Sequence, residues 1–143
     1  MRIKTAAVFA AMFLSFLALV QAFSKPARAA DDRVWEVVAS KDQTFVVKGE
    51  KKPVIAVKAG QAVRLRITAE KAAEMAKDGS VHSFTIKQLA DQGWNIRLKE
   101  GTQDYTLTAP SKPGEYAIEC AVKCGPGHAD QRMKLCSHAI ICF

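Results

Sequence analysis

The residues best suited to chemistry lie near the carboxyl end of the chain, in the segment Cys120-Ala-Val-Lys-Cys124-Gly-Pro-Gly-His128. Met133 follows five residues later, and His82 lies far upstream. Two thiols, an imidazole and a thioether form a soft-ligand set, which suits copper in an electron-transfer site better than calcium or magnesium. The pattern therefore predicts a bound redox metal.

The chain has four cysteines, and their pairing decides whether thiols are free to bind metal. In an oxidising compartment, four cysteines form two disulfides by default. Three residues separate Cys120 from Cys124, one more than in the usual Cys-x-x-Cys redox pair, and the glycines that follow suit a tight ligand loop. We therefore expect free thiols at Cys120 and Cys124. A disulfide is favoured for Cys136 and Cys142, which lie in a terminal segment without comparable ligand spacing.

The first 29 residues have the order of a secretory signal. A basic start with Arg2 and Lys4 precedes an apolar run from Thr5 to Phe23, and the small-residue stretch Ala27-Arg28-Ala29 follows. This order predicts cleavage near Ala29 and a periplasmic or otherwise exported protein. The alternative is an uncleaved membrane anchor, because the run approaches the ~20 residues that span a bilayer.

Residues 30–143 are predicted to form one domain of 114 residues, which is long enough to bury a hydrophobic core. The net charge of the whole chain is +7, but the leader holds four basic residues and no acidic one. The remaining 17 basic and 14 acidic residues leave +3. So mild a charge gives no argument for nucleic acid binding.

Short β-branched runs separated by turn residues indicate an all-β fold. Seven or eight such strands with regularly spaced turns predict a Greek-key β-sandwich. One stretch, Thr68 to Lys77, is rich in helix formers and ends at Asp78-Gly79, so it predicts one short helical insertion. The predicted strands include Val34–Val38, Thr44–Val47, Val54–Val57, Val63–Thr68, Val81–Ile86, Tyr105–Thr108 and Glu115–Cys120.

The strand over Val81–Ile86 would place an imidazole among apolar side chains. Strand alternation puts His82 on the same face as Phe84 and Ile86. Cys120 ends another predicted strand, so both residues can reach one edge of the sandwich. A metal site can form there together with the loop that follows Cys120.

Three segments together resemble a known copper-binding family. They are Val81-His82-Ser83-Phe84-Thr85-Ile86, Lys112-Pro113-Gly114-Glu115-Tyr116 and Cys120-x3-Cys124-Gly-Pro-Gly-His128. From about Val54 onward the chain resembles the dinuclear copper (CuA) domain of cytochrome c oxidase subunit II and nitrous oxide reductase, within the cupredoxin family. The resemblance implies a cupredoxin-like sandwich that transfers electrons and is not itself an enzyme, although it could be an accessory part of an oxidase or reductase.

The resemblance also implies a ligand set of five side chains and one backbone carbonyl. Two thiolates would bridge two copper ions, and each ion would have one histidine. The residues so implied are the bridging Cys120 and Cys124, with His82 and Met133 on one copper and His128 and the Val122 carbonyl on the other. The family usually has two residues between the loop histidine and the methionine, whereas this chain has four.

Other interpretations of the same residues remain open. In a mononuclear blue-copper site, Cys124, His82 and His128 would form the trigonal set with Met133 as the axial ligand, and Cys120 would take no part. A copper delivery or storage protein would use the same soft ligands. A zinc site is less expected, because structural zinc ligands normally come in close pairs.

The expected partners follow from the electron-transfer interpretation. We expect a c-type cytochrome or another redox protein, no nucleic acid, and membrane contact only if the leader is retained. The paired membrane helices that precede the copper domain in an oxidase subunit are not recognisable in the sequence, which favours a free or singly anchored domain.

Overall fold

The computed structural model describes residues 32–138, which form a sandwich of two β-sheets. No helix within this range is long and apolar enough to cross a membrane. The predicted leader and Cys142 lie outside the described residues. The strands are β1 (Val34–Ala39), β2 (Phe45–Val47), β3 (Val54–Lys58), β4 (Ala62–Ala69), β5 (His82–Thr85), β6 (Asn95–Leu98), β7 (Gly101–Thr108), β8 (Gly114–Glu119) and β9 (Arg132–His138).

The strand order confirms the predicted sandwich, with nine strands in the described range. One sheet has the order β2-β1-β4-β7 and the other β3-β9-β8-β5-β6. The pairs β1/β4 and β3/β9 are parallel, and the remaining pairs are antiparallel. Because consecutive strands often belong to different sheets, the chain crosses repeatedly between the two layers and leaves loops at both ends of the sandwich.

The helical insertion is present but lies elsewhere than the sequence predicted. Thr68 and Ala69 complete β4 by pairing with Thr102 and Gly101 of β7, and residues 70–80 form an irregular loop with no helix. Pairing with β7 accounts for Thr68 and Ala69, and in the rest of the stretch contacts with the Cys124 loop override helix propensity, which is a weak preference. The insertion is a 3-10 helix at Lys87–Gln92, in the connection that follows β5. That connection also contains β6, which the sequence did not reveal.

The core lies between the sheets and supports the end of the sandwich where His82 lies. Phe84 of β5 makes an edge contact with Phe45 of β2 at a centroid separation of 5.7 Å, and its ring also stacks on Trp94 at 6.5 Å. The Trp94 indole N–H donates to the Thr108 carbonyl oxygen at 2.9 Å and so connects the two sheets. Burying side chains of this size contributes roughly 1.5–3 kcal/mol each, which holds β5 firmly in place.

The loop over residues 70–80 is fixed at its far end by Asp78. Its carboxylate accepts hydrogen bonds from the Arg97 guanidinium at 2.9 and 3.1 Å, and from the hydroxyl and backbone N–H of Ser80. Arg97 and then Ser80 hold the pKa of Asp78 well below its ordinary value. The folded protein therefore favours the charged form of this side chain.

We expect Asp78→Asn to lower the melting temperature near neutral pH. The pKa of Asp78 is depressed on folding, so its contribution to stability is complete above the ordinary pKa of about 3.8 and is lost as the pH falls below it. Thermal unfolding of the two proteins from pH 7 to pH 2 should show a difference that shrinks in acid. Arg97→Gln should lower the melting temperature with the same dependence on pH. A difference in melting temperature that is as large at pH 2 as at pH 7 would contradict this account.

Candidate metal centre

Two free thiols meet beside the end of β8. Cys120 is the residue after that strand and Cys124 lies in the following loop; both are buried and neither is in a disulfide, as predicted. Their Sγ atoms are 3.6 Å apart, well beyond the ~2.05 Å of a disulfide bond. The separation is shorter than two metal–thiolate bonds of about 2.3 Å, the length found with zinc, so both sulfurs can bind the same ion.

His82 completes a compact group of three donors. The side chain is fully buried at the start of β5, and its ring nitrogens and the two sulfurs supply ligand atoms within 4.8 Å of one another. Its Nε2 lies 3.1 Å from the Glu70 carbonyl oxygen, which can only accept a hydrogen bond. When Nε2 donates to that carbonyl, the Nδ1 lone pair is free. In most metal-binding histidines, the ring nitrogen that does not bind the metal donates a hydrogen bond of this kind, which orients the ring.

The pKa values of the two thiols are shifted in opposite directions. Burial alone would raise the pKa of Cys120, but neighbouring polar groups, among them the Ser83 backbone N–H, lower it overall. Burial and the neighbouring charge of Cys120 raise the pKa of Cys124 to about 12. Cys120 therefore loses its proton more readily than Cys124, and an ion bound by both sulfurs must displace the protons that remain.

The Val122 carbonyl faces the same group, because its oxygen lies 3.2 Å from the Cys120 Sγ. Val122 itself is buried and forms a small apolar cluster with both cysteines, against which Ala72 and Ala76 pack. The loop over residues 70–80 therefore covers the thiols from one side. Its backbone is tied to the ligand loop by a hydrogen bond from the Glu74 N–H to the Cys124 carbonyl oxygen.

His128 lies at the far side of the ligand loop, where it begins the 3-10 helix His128–Asp130. It is not one of the three residues whose donor atoms cluster within 4.8 Å. Its Nδ1 is nevertheless buried and has no hydrogen-bond partner within the described range. Leaving a buried polar atom unpaired costs about 1–3 kcal/mol, so this nitrogen fits a metal donor.

The register of β9 places Met133 away from the thiols. It belongs to β9, pairs with Ile118 of β8, and packs in the main hydrophobic core together with Leu135. The side chain that contacts the donors is Gln131, whose Oε1 is 3.1 Å from His82 Nδ1 and 3.5 Å from Cys124 Sγ. Sequence reasoning missed Gln131, although two residues separate it from His128, the spacing usual for the family methionine. Coordination by Met133 stays a prediction.

The two remaining candidates lie along β9. Cys136 takes part in a disulfide, in agreement with the expectation for the terminal cysteines. His138 ends the strand opposite Lys58 of β3. Neither residue belongs to the group of donors formed by His82 and the two free thiols.

The ligand loop is shaped around Gln43. This residue has a left-handed φ of 60° and is buried, with its amide against the loop. A Cβ added to Gly125 would lie 2.7 Å from Gln43 Nε2, and one added to Gly127 would lie 2.9 Å from Gln43 Oε1. Both glycines also have positive φ, of 135° and 88°. Only glycine satisfies both the backbone conformation and the close approach, as the predicted tight ligand loop requires.

Comparison with known proteins is informative at the level of structure. Neither a protein-family model nor a curated protein matches the chain. A chain of a heme-copper terminal oxidase dimer matches with a TM-score of 0.54 and 16% identity, covering 93% of this chain and 94% of that one. The periplasmic domain of subunit II of cytochrome oxidase (CoxB) of Bradyrhizobium japonicum matches with a TM-score of 0.50 and 15% identity, covering 76% and 86%. The chain has the cupredoxin fold. Auracyanin A, a "blue" copper protein from Chloroflexus aurantiacus, is also similar, with a TM-score of 0.47, 23% identity and coverage of 74% and 98%.

In this protein, Gly125→Ala should destabilise the metal-free fold by about 1–3 kcal/mol, because a Cβ would be both strained and pressed against Gln43. Gly49→Ala is the matched control, since Gly49 also has positive φ but nothing lies within 4 Å of its added Cβ. Chemical denaturation should show a larger loss for Gly125→Ala, and Gln43→Ala should reduce that excess. An undiminished excess in the double variant would refute the packing role of Gln43.

Proposed function

We propose that this cupredoxin is an exported copper protein with a dinuclear, CuA-like centre that transfers electrons. The observation that supports this most directly is the pair of free, buried thiols 3.6 Å apart. A buried imidazole belongs to the same donor group. Two sulfurs and an imidazole suit copper, and burial keeps solvent from the donors.

The residues of the chain have separate roles in this proposal. Cys120 and Cys124 would be the thiolate ligands shared by the copper ions, His82 and His128 would each supply Nδ1, and Val122 would supply its carbonyl oxygen. When bound, copper supplies the one-electron chemistry, and shared thiolates spread the charge over two ions. The packed strand ends hold the donors in one arrangement, which reduces the rearrangement that accompanies a change of oxidation state.

The dinuclear form is favoured over a mononuclear blue site by the position of Cys120. A mononuclear site would need only Cys124, and Cys120 would be a bystander. Instead, the Cys120 Sγ faces Cys124, lies 3.4 Å from the Ser83 backbone N–H, and lies 3.2 Å from the Val122 carbonyl oxygen. The Ser83 N–H would stabilise a thiolate at this position, which a bridging ligand uses and a bystander thiol does not need.

The location and the partner belong to the same proposal. The leader predicted over residues 1–29 would export the domain of residues 30–143 to the periplasm. There it would exchange electrons with a c-type cytochrome or another redox protein. The domain itself would carry out no substrate chemistry.

Copper-loaded protein should contain two copper ions per chain and show a purple, mixed-valence centre with one electron shared over two nuclei. Cys120→Ser and Cys124→Ser should each abolish this signal, because each removes a shared ligand. Metal analysis, absorption and EPR spectroscopy test the point. One copper per chain with an intense blue band and four-line coupling that survives Cys120→Ser would establish the mononuclear alternative.

Retention of copper separates electron transfer from copper delivery. We expect the reduced, loaded protein to give electrons to an oxidised c-type cytochrome while its copper content stays unchanged. Incubation with a copper-free acceptor protein, followed by separation and metal analysis, measures release. Rapid transfer of copper to the acceptor, with no electron exchange, would favour a delivery or storage protein.

A further inference from the structure

Gln131 is a completely buried polar residue at the junction of the ligand loop and β9. Its backbone is hydrogen-bonded to two proposed ligands. The Cys120 N–H donates to the Gln131 carbonyl oxygen at 3.2 Å, and the Gln131 N–H donates to the His128 carbonyl oxygen at 3.3 Å. Gln131 is therefore held in place by the same loop that presents the thiols.

The orientation of the Gln131 amide follows from its surroundings. One end of the amide lies 3.5 Å from the Thr44 carbonyl oxygen, which can only accept a hydrogen bond. The NH2 group must face that carbonyl, so the amide oxygen faces the metal donors. This Oε1 lies 3.1 Å from His82 Nδ1 and 3.5 Å from Cys124 Sγ.

The contact between Gln131 and His82 brings two acceptors together. If His82 donates its Nε2 proton to the Glu70 carbonyl, the neutral ring has only a lone pair at Nδ1. That lone pair then faces the lone pairs of the Gln131 amide oxygen. In the metal-free site the Cys124 thiol donates to Oε1 at 3.5 Å, but a cation bound by the sulfurs would displace that proton and leave both acceptors facing the metal.

We propose that Gln131 Oε1 is an oxygen ligand to the copper held by His82, in the position that the sequence-based ligand set gave to Met133. The inference rests on the proposed copper function. An amide oxygen is a weak, long axial ligand to copper, as a thioether is, so it can replace methionine without changing the stronger thiolate and imidazole ligands.

The register of β9 keeps Met133 from taking the same position. Gln131 and Met133 are two residues apart and point to the same face, so they are displaced by about 7 Å along the chain. Met133 pairs with Ile118, and the pairing of β8 and β9 continues unbroken from Glu119↔Arg132 to Gly114↔Ser137. Bringing Met133 to the thiols would require a two-residue shift of this register and would remove Leu135 from the core.

The exchange of ligand has a predictable consequence for redox chemistry. A thioether is soft and favours Cu(I), whereas an amide oxygen is harder and favours Cu(II). With Gln131 as ligand, the centre should have a lower reduction potential than a methionine-ligated one.

The test compares Gln131→Met with Met133→Leu in copper-loaded full-length protein. Gln131→Met should raise the ratio of Cu(I) to Cu(II) affinity about tenfold, which is about 59 mV in reduction potential for one electron. It should also change the EPR coupling. Met133→Leu, a substitution of similar volume in the core, should leave both readouts unchanged. Circular dichroism of the metal-free variants checks that each folds.

Gln131→Glu provides a second measurement if Gln131→Met does not fold. Glutamate has nearly the same shape, keeps an oxygen at the site and adds negative charge, so the reduction potential should fall. A shift with Met133→Leu, or unchanged potentials and spectra in the folded Gln131 variants, would overturn the inference. Failure of the wild-type thiols to bind copper, shown by spectra that are insensitive to Cys120→Ser and Cys124→Ser, would instead reject the proposed function and this inference with it.

Discussion

The antiparallel pairing of β8 with β9 is the constraint on which the site depends. Glu119 and Arg132 are opposite each other, so the chain between them must close as a loop whose ends are adjacent. The hydrogen bond from the Cys120 N–H to the Gln131 carbonyl oxygen seals that loop. The donors of this loop therefore all lie at one end of the five-stranded sheet. The free energy of folding the sandwich offsets the conformational entropy that is lost when they are brought together.

A second strand pairing brings the imidazole of His82 to the same end of the sheet. Thr85 of β5 pairs with Glu119 of β8, and the Ala121 N–H donates to Ser83 Oγ at 2.7 Å. His82 therefore lies beside the thiols although 37 residues of sequence separate it from Cys120. Because β5 is buried on both faces, the imidazole has little freedom to turn away. Rigid placement of this kind suits a site whose ligands should move little between oxidation states.

The buried polar groups around the thiols form a connected set that the fold only partly satisfies. Glu70, Ser83 and Val122 supply backbone partners to the imidazole and to Cys120. By contrast, His128 Nδ1 and Gln43 Oε1 are buried without a hydrogen bond from the described residues. Each such unpaired group costs about 1–3 kcal/mol, and binding of a metal by His128 Nδ1 would remove that cost at one of them.

The donor types and the tight loop were predictable from the sequence alone, because both depend on neighbours: Cys120, Cys124 and His128 are close along the chain, and glycines permit their turn. The alternation of β-branched residues was likewise sufficient for the sandwich. Tertiary structure decided what depends on distant pairing. Thr68 and Ala69 extend β4 because β7 provides a partner, and the rest of the helix-forming stretch is a loop that packs against the thiols. Register against β8 places Gln131 at the donors and Met133 in the core. The amino-acid sequence does not by itself reveal which of two side chains, two residues apart, will lie opposite a given partner strand residue.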